Sequence, residues 1–396
     1  MAERTLGRCL IVNAYSYRNA GDAAIMLSTA RLVRDLGATS VAIASRYEDS
    51  AAYSAFGLET VPPIIPFPST GDGSRLRRGV VLALGSVRSL VSIATRGRIG
   101  AKRLRADYDT VVVAGGGYMY SSKRRINMSL WHSLLSAKLG NAVLNHTLMM
   151  PQSVGPINRR IDRAVLEWAL REVPVVVRER KSLDASRFPP RLSQERVIPD
   201  VAFYPGVELP QHDAPSARVL RLVVMDWTWS TSVEAGRFDD YLRRMAELVD
   251  LAVEAGFAVV LGGHSSLGEH DQDDLRVADR IRELARNQVA VDLDADVAHL
   301  YGEYQRSTVV VGTRLHSCIM ALSVGTPAIG LSYQEKTVGV LEGVGHGAYV
   351  HKVDDFDPKV VMRQVLELAS SESNTWADLA KWTKDAIRGE YEELVR

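Results

Sequence analysis

The chain has 396 residues, 46% apolar and 24% charged; at about 150 residues per domain this allows two or three buried cores and excludes a disordered or low-complexity protein. Forty-eight Lys and Arg against 47 Asp and Glu leave a formal charge of +1, so no whole-molecule field gathers nucleic acid and any anion site must be local. Two cysteines, Cys9 and Cys318, build neither a disulfide framework nor a zinc site, and Met1 to Arg8 lacks the apolar stretch of a secretory leader, so a cytoplasmic location is expected.

Along the chain, short β-branched runs alternate with helical stretches, the pattern of βα units on a parallel sheet. The first set of strands is expected at Cys9–Val12, Val41–Ala44, Thr110–Ala114, Thr147–Met150, Pro174–Val177 and Arg196–Ile198. Helices are expected between them at Asp22–Leu36, Leu76–Leu104, Asn127–Leu139, Ile161–Glu172 and Lys181–Arg187. This reads as one doubly wound domain over residues 1–204. Residues 205–217, with Pro205, Gly206, Pro210 and Pro215, read as a linker.

A second domain then covers residues 218–396. Its strands are expected at Arg221–Met225, Ala258–Leu261, Val289–Asp292, Thr308–Val311 and Ala328–Leu331, its helices at Phe238–Ala255, Asp271–Arg286, Val297–Gln305, Leu315–Val324 and Thr337–Gly343. A helical tail from Asp357 to Arg396 is placed to return to the first domain. The fold class is α/β, two Rossmann-like doubly wound domains facing a cleft, and the loops after the strands are where ligands are expected.

One stretch departs from the neutral average. From Ser74 to Ala106 there is no acid, while Arg75, Arg77, Arg78, Arg88, Arg96, Arg98, Lys102, Arg103 and Arg105 flank or interrupt an apolar run. The run is too short for a membrane span. Two readings stand open: a buried helix with a solvated basic end, or a basic amphipathic helix lying on an anionic membrane surface.

The loops carry the chemistry. After the first strand, Asn19, Gly21 and Asp22 open a helix whose free N–H groups suit an anion or a sugar hydroxyl, unless Asp22 itself caps them. Gly115, Gly116 and Gly117 follow the third strand and let the backbone approach a ligand, or serve only close packing. Gln152 follows the next strand. Arg178 stands where a strand gives way to a loop, free to clamp a carboxylate or phosphate or to pair with Glu179 or Asp200. In the second domain Arg314 and His316 flank one helix N-terminus, an anion site with a proton donor, and Lys336 lies at the same sheet edge. His264 reads as a core or loop-capping histidine. No cluster of metal ligands is visible.

The succession Asn19-x-Gly21-Asp22, Gly115-Gly116-Gly117, Gln152-x-x-Gly155-Pro156, Arg178-Glu179-x-x-Ser182, Pro199-Asp200, Gly312-x-Arg314-Leu315-His316 and Tyr333-x-x-Lys336 resembles the polysaccharide pyruvyl transferases. The resemblance implies a GT-B-like fold, phosphoenolpyruvate as co-substrate with no cofactor or metal, and a saccharide acceptor that receives a pyruvate ketal. It implies that Arg178, Arg314, His316 and Lys336 surround the donor. In that reaction His316 is the expected general acid and Asp22 the group that orients or deprotonates the acceptor, with Asn19, Gly116, Gly117 and Gln152 on the acceptor or loop side. A lipid-linked acceptor would put the enzyme at the inner face of the membrane through the basic segment. Two alternatives remain: a nucleotide-sugar glycosyltransferase of the same architecture, and a non-catalytic sugar- or anion-binding subunit. The sequence does not fix the acceptor sugar or the oligomeric state.

Overall fold

The computed structural model describes residues 5–45, 47–66, 75–121, 127–144, 146–184, 196–209, 217–228, 236–266 and 274–396. The expected stretches 185–187 and 271–273 and most of the expected linker, 210–216, lie outside the described residues. The chain divides into two units. One comprises Met1–Tyr17, Ile25–Val201 and Ala386–Arg396; the other comprises Arg18–Ala24 and Ala202–Asp385.

In the first unit the strands β1 (Gly7–Val12), β2 (Ala38–Ala44), β3 (Glu59–Val61), β4 (Thr110–Val113), β5 (Gly116–Met119), β6 (Thr147–Met149), β7 (Gln152–Val154), β8 (Val176–Val177) and β9 (Arg196–Val197) form two parallel sheets. The helices are α1 (Ala20–Asp35), α2 (Arg75–Ala94), α3 (Lys102–Asp107), α4 (Met128–Leu144) and α5 (Arg160–Leu170). Five strands run in the order β3-β2-β1-β4-β6 and four in the order β5-β7-β8-β9. The strand order reverses between β1 and β4, which makes their carboxyl ends a switch point where ligands bind in such sheets.

The single sheet expected here is thus two. Gly115 separates β4 from β5, and Pro151, whose nitrogen has no hydrogen to donate, lies between β6 and β7. Gly116 and Gly117 therefore open a strand rather than a loop, and so does Gln152. The long helix expected over Leu76–Leu104 ends at Ala94, where Arg96 (φ 48°) and Gly97 (φ 77°) turn left-handed, and resumes as α3. The helix expected from Lys181 is a short 3-10 turn, Arg180–Leu183.

The second unit carries β10 (Val219–Val223), β11 (Ala258–Gly262), β12 (Ala290–Asp292), β13 (Val309–Gly312), β14 (Ala328–Ser332) and β15 (Val350–Lys352). Its helices are α6 (Arg237–Glu254), α7 (Asp274–Leu284), α8 (Val297–Arg306), α9 (Leu315–Ser323), α10 (Glu335–Gly343), α11 (Pro358–Ser370) and α12 (Ser373–Val395). All strand pairs are parallel, in the order β12-β11-β10-β13-β14-β15. This is the order of a dinucleotide-binding doubly wound sheet, with its switch point between β10 and β13. β15, too short and polar to announce itself, was not expected. The central strands β13 and β14 are buried along their whole length, as apolar runs covered by helices on both faces must be. The end of the tail counts with the first unit, where the Tyr391 hydroxyl donates to the Met149 carbonyl at 2.7 Å.

Candidate functional site

The second unit holds most of the predicted residues. β13 ends in Gly312, and the chain passes through Thr313 and Arg314 directly into α9. A Cβ on Gly312 would lie 2.2 Å from Ser317 Oγ and 2.9 Å from Cys318 Sγ, so only glycine lets the helix start this close to the strand. The turn is fixed by the Thr313 N–H donating to Val223 O (2.9 Å), by a 2.9 Å hydroxyl contact between Thr313 and Tyr241, and by Ser317 Oγ donating to Arg314 O (2.7 Å). Arg314 occupies the cap position of α9 but makes no side-chain bond to its first turn. The positive end of the helix thus lies beside a guanidinium at the switch point of the sheet.

Arg314 is buried, and its Nη2 donates to Asp274 Oδ1 at 2.8 Å. The other oxygen, Asp274 Oδ2, accepts the backbone N–H groups of His264 (2.9 Å) and Ser265 (3.2 Å). Burial pushes the Asp274 carboxyl up, opposed by the Arg314 guanidinium and these two N–H groups. His264, 1% exposed, contacts the Tyr304 hydroxyl through Nδ1 at 3.1 Å. Burial, with Arg314 and His316 nearby, holds its pKa well below the ordinary histidine value, so the ring is neutral. Among the described residues, Arg314 Nε and His264 Nε2 are buried without a hydrogen-bond partner. Such atoms in a folded protein call for a ligand or an ordered water.

The segment Arg18–Ala24 lies on this site because its backbone is bonded there. Ala20 N–H donates to His264 O (3.1 Å), Ser266 N–H donates to Arg18 O (2.9 Å), and Asn19 and Ser265 form an antiparallel bridge. Asn19 and Asp22, counted with the first domain by chain position, accordingly group with the second unit. Asn19 is the cap of α1: its carbonyl accepts from Ala23 N–H (2.9 Å) and its Oδ1 from Gly21 N–H (3.1 Å). Asp22, read as a possible cap, sits in the first turn instead, because the helix begins two residues earlier than expected. Gly21 packs against the half-buried His316 ring, so the first turns of α1 and α9 meet. Lys336, half-buried, is the second residue of α10 and follows β14, the neighbour of β13. Burial raises the hydroxyl pKa of Tyr333, and Arg314 opposes it.

The first unit carries the remaining predicted residues. Arg178 is 1% exposed in its side chain; Nε donates to Ser153 Oγ at 2.7 Å, Nη1 pairs with Asp200, and Glu179 Oε2 lies 3.7 Å away. The guanidinium is thus engaged by both carboxylates that the sequence offered as its partners. Burial raises the Glu179 carboxyl against the pull of Arg178. Gln152 is fully buried, and its Nε2 donates to Ala114 O and to Tyr118 Oη (3.3 Å). The Asn13 amide reaches the same hydroxyl at 3.4 Å. These groups stand at the carboxyl ends of β1 and β4, the switch point of that sheet. Gly116 N–H donates to Pro151 O (3.2 Å), and Gly117 follows it in β5.

Two neighbours of the Arg314 cluster escaped the sequence reading. Asp274 lies 40 residues from Arg314, and nothing local links them. Tyr304 is hidden in an apolar helix face, whereas His264 is already marked in the sequence as a core or loop-capping histidine. A third cluster, Asp292, His299 and Glu303, brings ligand-type atoms within 4.8 Å of one another. Arg221 Nη2 already stands among its carboxylates, 3.0 Å from Asp292 Oδ2 and bonded to Glu303, and neutralises the charge a metal would need.

The two switch-point sheets define the class first. Over nearly the whole chain the fold is that of the GT-B glycosyltransferases and epimerases. A putative UDP-N-acetylglucosamine 2-epimerase from Listeria monocytogenes is similar with a TM-score of 0.56 at 14% identity, over 98% of this chain and 97% of that one. A glycosyltransferase from Rickettsia africae is similar with a TM-score of 0.57 at 12% identity, over 99% and 98%. Likeness at such identity speaks to fold alone. The family is set by sequence: the chain belongs to the polysaccharide pyruvyl transferases, whose family profile matches residues 19–335. It is also 25% identical over 260 residues to the amylovoran biosynthesis protein AmsJ of Erwinia amylovora, spanning 60% of each chain.

Proposed function

We propose that the chain transfers the three-carbon unit of phosphoenolpyruvate to two hydroxyls of a sugar, in a cell-surface glycan or its lipid-linked precursor, giving a cyclic pyruvate ketal and phosphate. The observation that carries this reading is the pairing of Arg314 with His316 at the start of α9, in a chain of this family. The donor is a carboxylate and a phosphate on one small frame, so its site needs fixed cations. Arg314 and Lys336 supply them in the second unit beside a helix N-terminus. Arg178, in the first unit, is already bonded to Asp200 and beside Glu179, so the donor's charge is proposed to rest on Arg314 and Lys336.

His316 protonates the methylene carbon of the donor, which becomes a methyl group, and the oxygen-bearing carbon turns electrophilic. One sugar hydroxyl attacks that carbon and gives up its proton; Asp22, in the turn of α1 that meets α9, is the group proposed to orient or accept it. The C–O bond to phosphate then breaks. The second hydroxyl closes the ring, and its proton leaves with phosphate. Asn19, Gly116, Gly117 and Gln152 are proposed on the acceptor or loop side, and each of these steps proceeds by acid–base chemistry.

Phosphate release from phosphoenolpyruvate, dependent on added envelope glycan, tests the reading. Turnover of nucleotide sugars in place of phosphoenolpyruvate would make the protein a glycosyltransferase. Binding of donor or glycan without phosphate release would make it a binding subunit.

A further inference from the structure

Among the described side chains of helix α2, Val81, Leu82 and Ile93 are half-buried, Ile93 against the core of the first unit, while five large apolar side chains stand exposed. The fully buried ones among them are small or polar: Gly85, whose added Cβ would lie 3.3 Å from Pro66 O, together with Ser89 and Ser92. Ser89 Oγ donates to Gly85 O (2.7 Å), and Ser92 Oγ donates to Ile99 O (2.9 Å). On the opposite side Val80, Leu84, Val87 and Val91 recur at i, i+4, i+7 and i+11, with Leu90 beside them, each between 41% and 66% exposed. The turn after the helix folds back along it, because Arg88 donates through Nε and Nη2 to Gly100 O at 3.2 and 2.9 Å. That return brings Ile99, 60% exposed, against the same helix. One face of α2 thus packs inward, as the first of the two readings expects, while Val80, Leu84, Val87, Leu90 and Val91 are left exposed on the other.

The charge carried by the segment itself has one sign up to residue 106. No acid occurs between residues 75 and 106. Arg98, Lys102 and Arg103 are exposed in the turn and at the start of α3, and among the described residues none of them has a carboxylate partner. A stripe about 16 Å long and one side chain wide covers roughly 200 Å², well below the ~800 Å² per partner of a stable protein interface. A second copy of the chain would set like charges against one another. An anionic bilayer meets both features, because lipid headgroups attract the cations and the acyl boundary takes up aliphatic side chains.

We infer that the outward face of α2, with Ile99 and the basic turn after it, is a docking surface for an anionic lipid bilayer. Among the described residues no helix is long and apolar enough to cross a membrane, so the contact is peripheral. The inference does not depend on the donor chemistry, and its test reads binding, not turnover.

The full chain is sedimented with phosphatidylcholine vesicles and with phosphatidylcholine–phosphatidylglycerol vesicles, at low and high salt. The wild-type chain should bind the anionic vesicles at low salt, release them at high salt and ignore the neutral ones. Changing Arg98, Lys102 and Arg103 together to Gln should weaken binding roughly a hundredfold, at about fivefold per cation near an anionic surface. Leu84→Gln with Val87→Gln should weaken it about tenfold or more at every salt concentration, with unchanged circular dichroism, since both positions are already exposed. Leu366→Gln, at an exposed apolar site in the second unit, should change nothing. Absent binding, equal binding to neutral vesicles, or indifference to both sets of substitutions overturns the inference. So does a vesicle-free self-association that the α2 substitutions abolish, which would make this face a contact between copies.

Discussion

The ring of His316 occupies the space that a side chain on Gly21 would need: a Cβ there would fall 2.6 Å from Nδ1, 2.7 Å from Cγ and 2.8 Å from Cβ of the histidine. Two first turns, of α1 and of α9, thus meet through a missing methyl group. Gly21→Ala has to move the imidazole, and a displacement of about 1 Å in a reacting group can cost on the order of 10²-fold in rate. The variant should keep its circular dichroism and fall by about that factor in kcat. Turnover close to wild type would separate His316 from the chemistry.

His316→Ala tests the acid directly. Loss of a general acid costs about 10²–10⁴-fold in kcat, whereas the charge proposed to hold the donor resides on Arg314 and Lys336. Calorimetry should show phosphoenolpyruvate affinity within a few-fold of wild type while turnover disappears. A collapse of affinity with turnover retained at saturation would assign His316 to binding.

The observed ion pair of Arg314 with Asp274 and its proposed hold on the donor can be pulled apart. Arg314→Ala leaves Asp274 buried without its cation, which costs roughly 3–5 kcal/mol of stability, and it should also weaken donor binding. Replacing both partners by apolar residues, Arg314→Met with Asp274→Leu, should restore most of the melting temperature without restoring donor affinity. Recovery of affinity together with stability would mean that Arg314 is a structural strut. The same logic applies to Arg178 and Asp200 in the first unit.

The sequence revealed the βα succession well because apolar strands covered on both faces are continuous β-branched runs. It located Arg314 and His316 because a strand, a glycine and an apolar helix follow one another without interruption. The split of the first sheet was hidden: Gly115 and Pro151 are ordinary turn signals, and only pairing across the sheets shows that strands resume after them. Asn19 rather than Asp22 caps α1 because the backbone bonds to His264 and Ser266 pull the helix start forward, a long-range effect no local pattern records. The partnership of Asp274 with Arg314 was illegible for the same reason. The basic segment was read as an even choice between burial and exposure, and the burial of Gly85, Ser89 and Ser92 decides which face of α2 packs inward.

His264 predicts a pH dependence of stability. Its folded pKa lies well below the ordinary value of 6.5, so below that pH the unfolded chain binds a proton that the folded chain does not. The stability it contributes is present above about pH 6.5 and is lost as the pH falls through and below that value, by up to about 1.4 kcal/mol per pH unit. Melting temperatures measured from neutral to mildly acid pH should decline in the wild-type chain and less steeply in His264→Asn. Equal slopes would show that the histidine titrates normally and that its site admits the charge.

The central claim is the transfer itself. Purified enzyme, phosphoenolpyruvate and envelope oligosaccharides stripped of acid-labile ketals are incubated together, and the oligosaccharides are weighed by mass spectrometry. The account predicts the gain of one pyruvyl ketal per acceptor sugar, matched by released phosphate and absent in His316→Ala. An unchanged glycan mass with phosphoenolpyruvate, alongside the gain of a sugar residue when a nucleotide sugar is supplied instead, would contradict it.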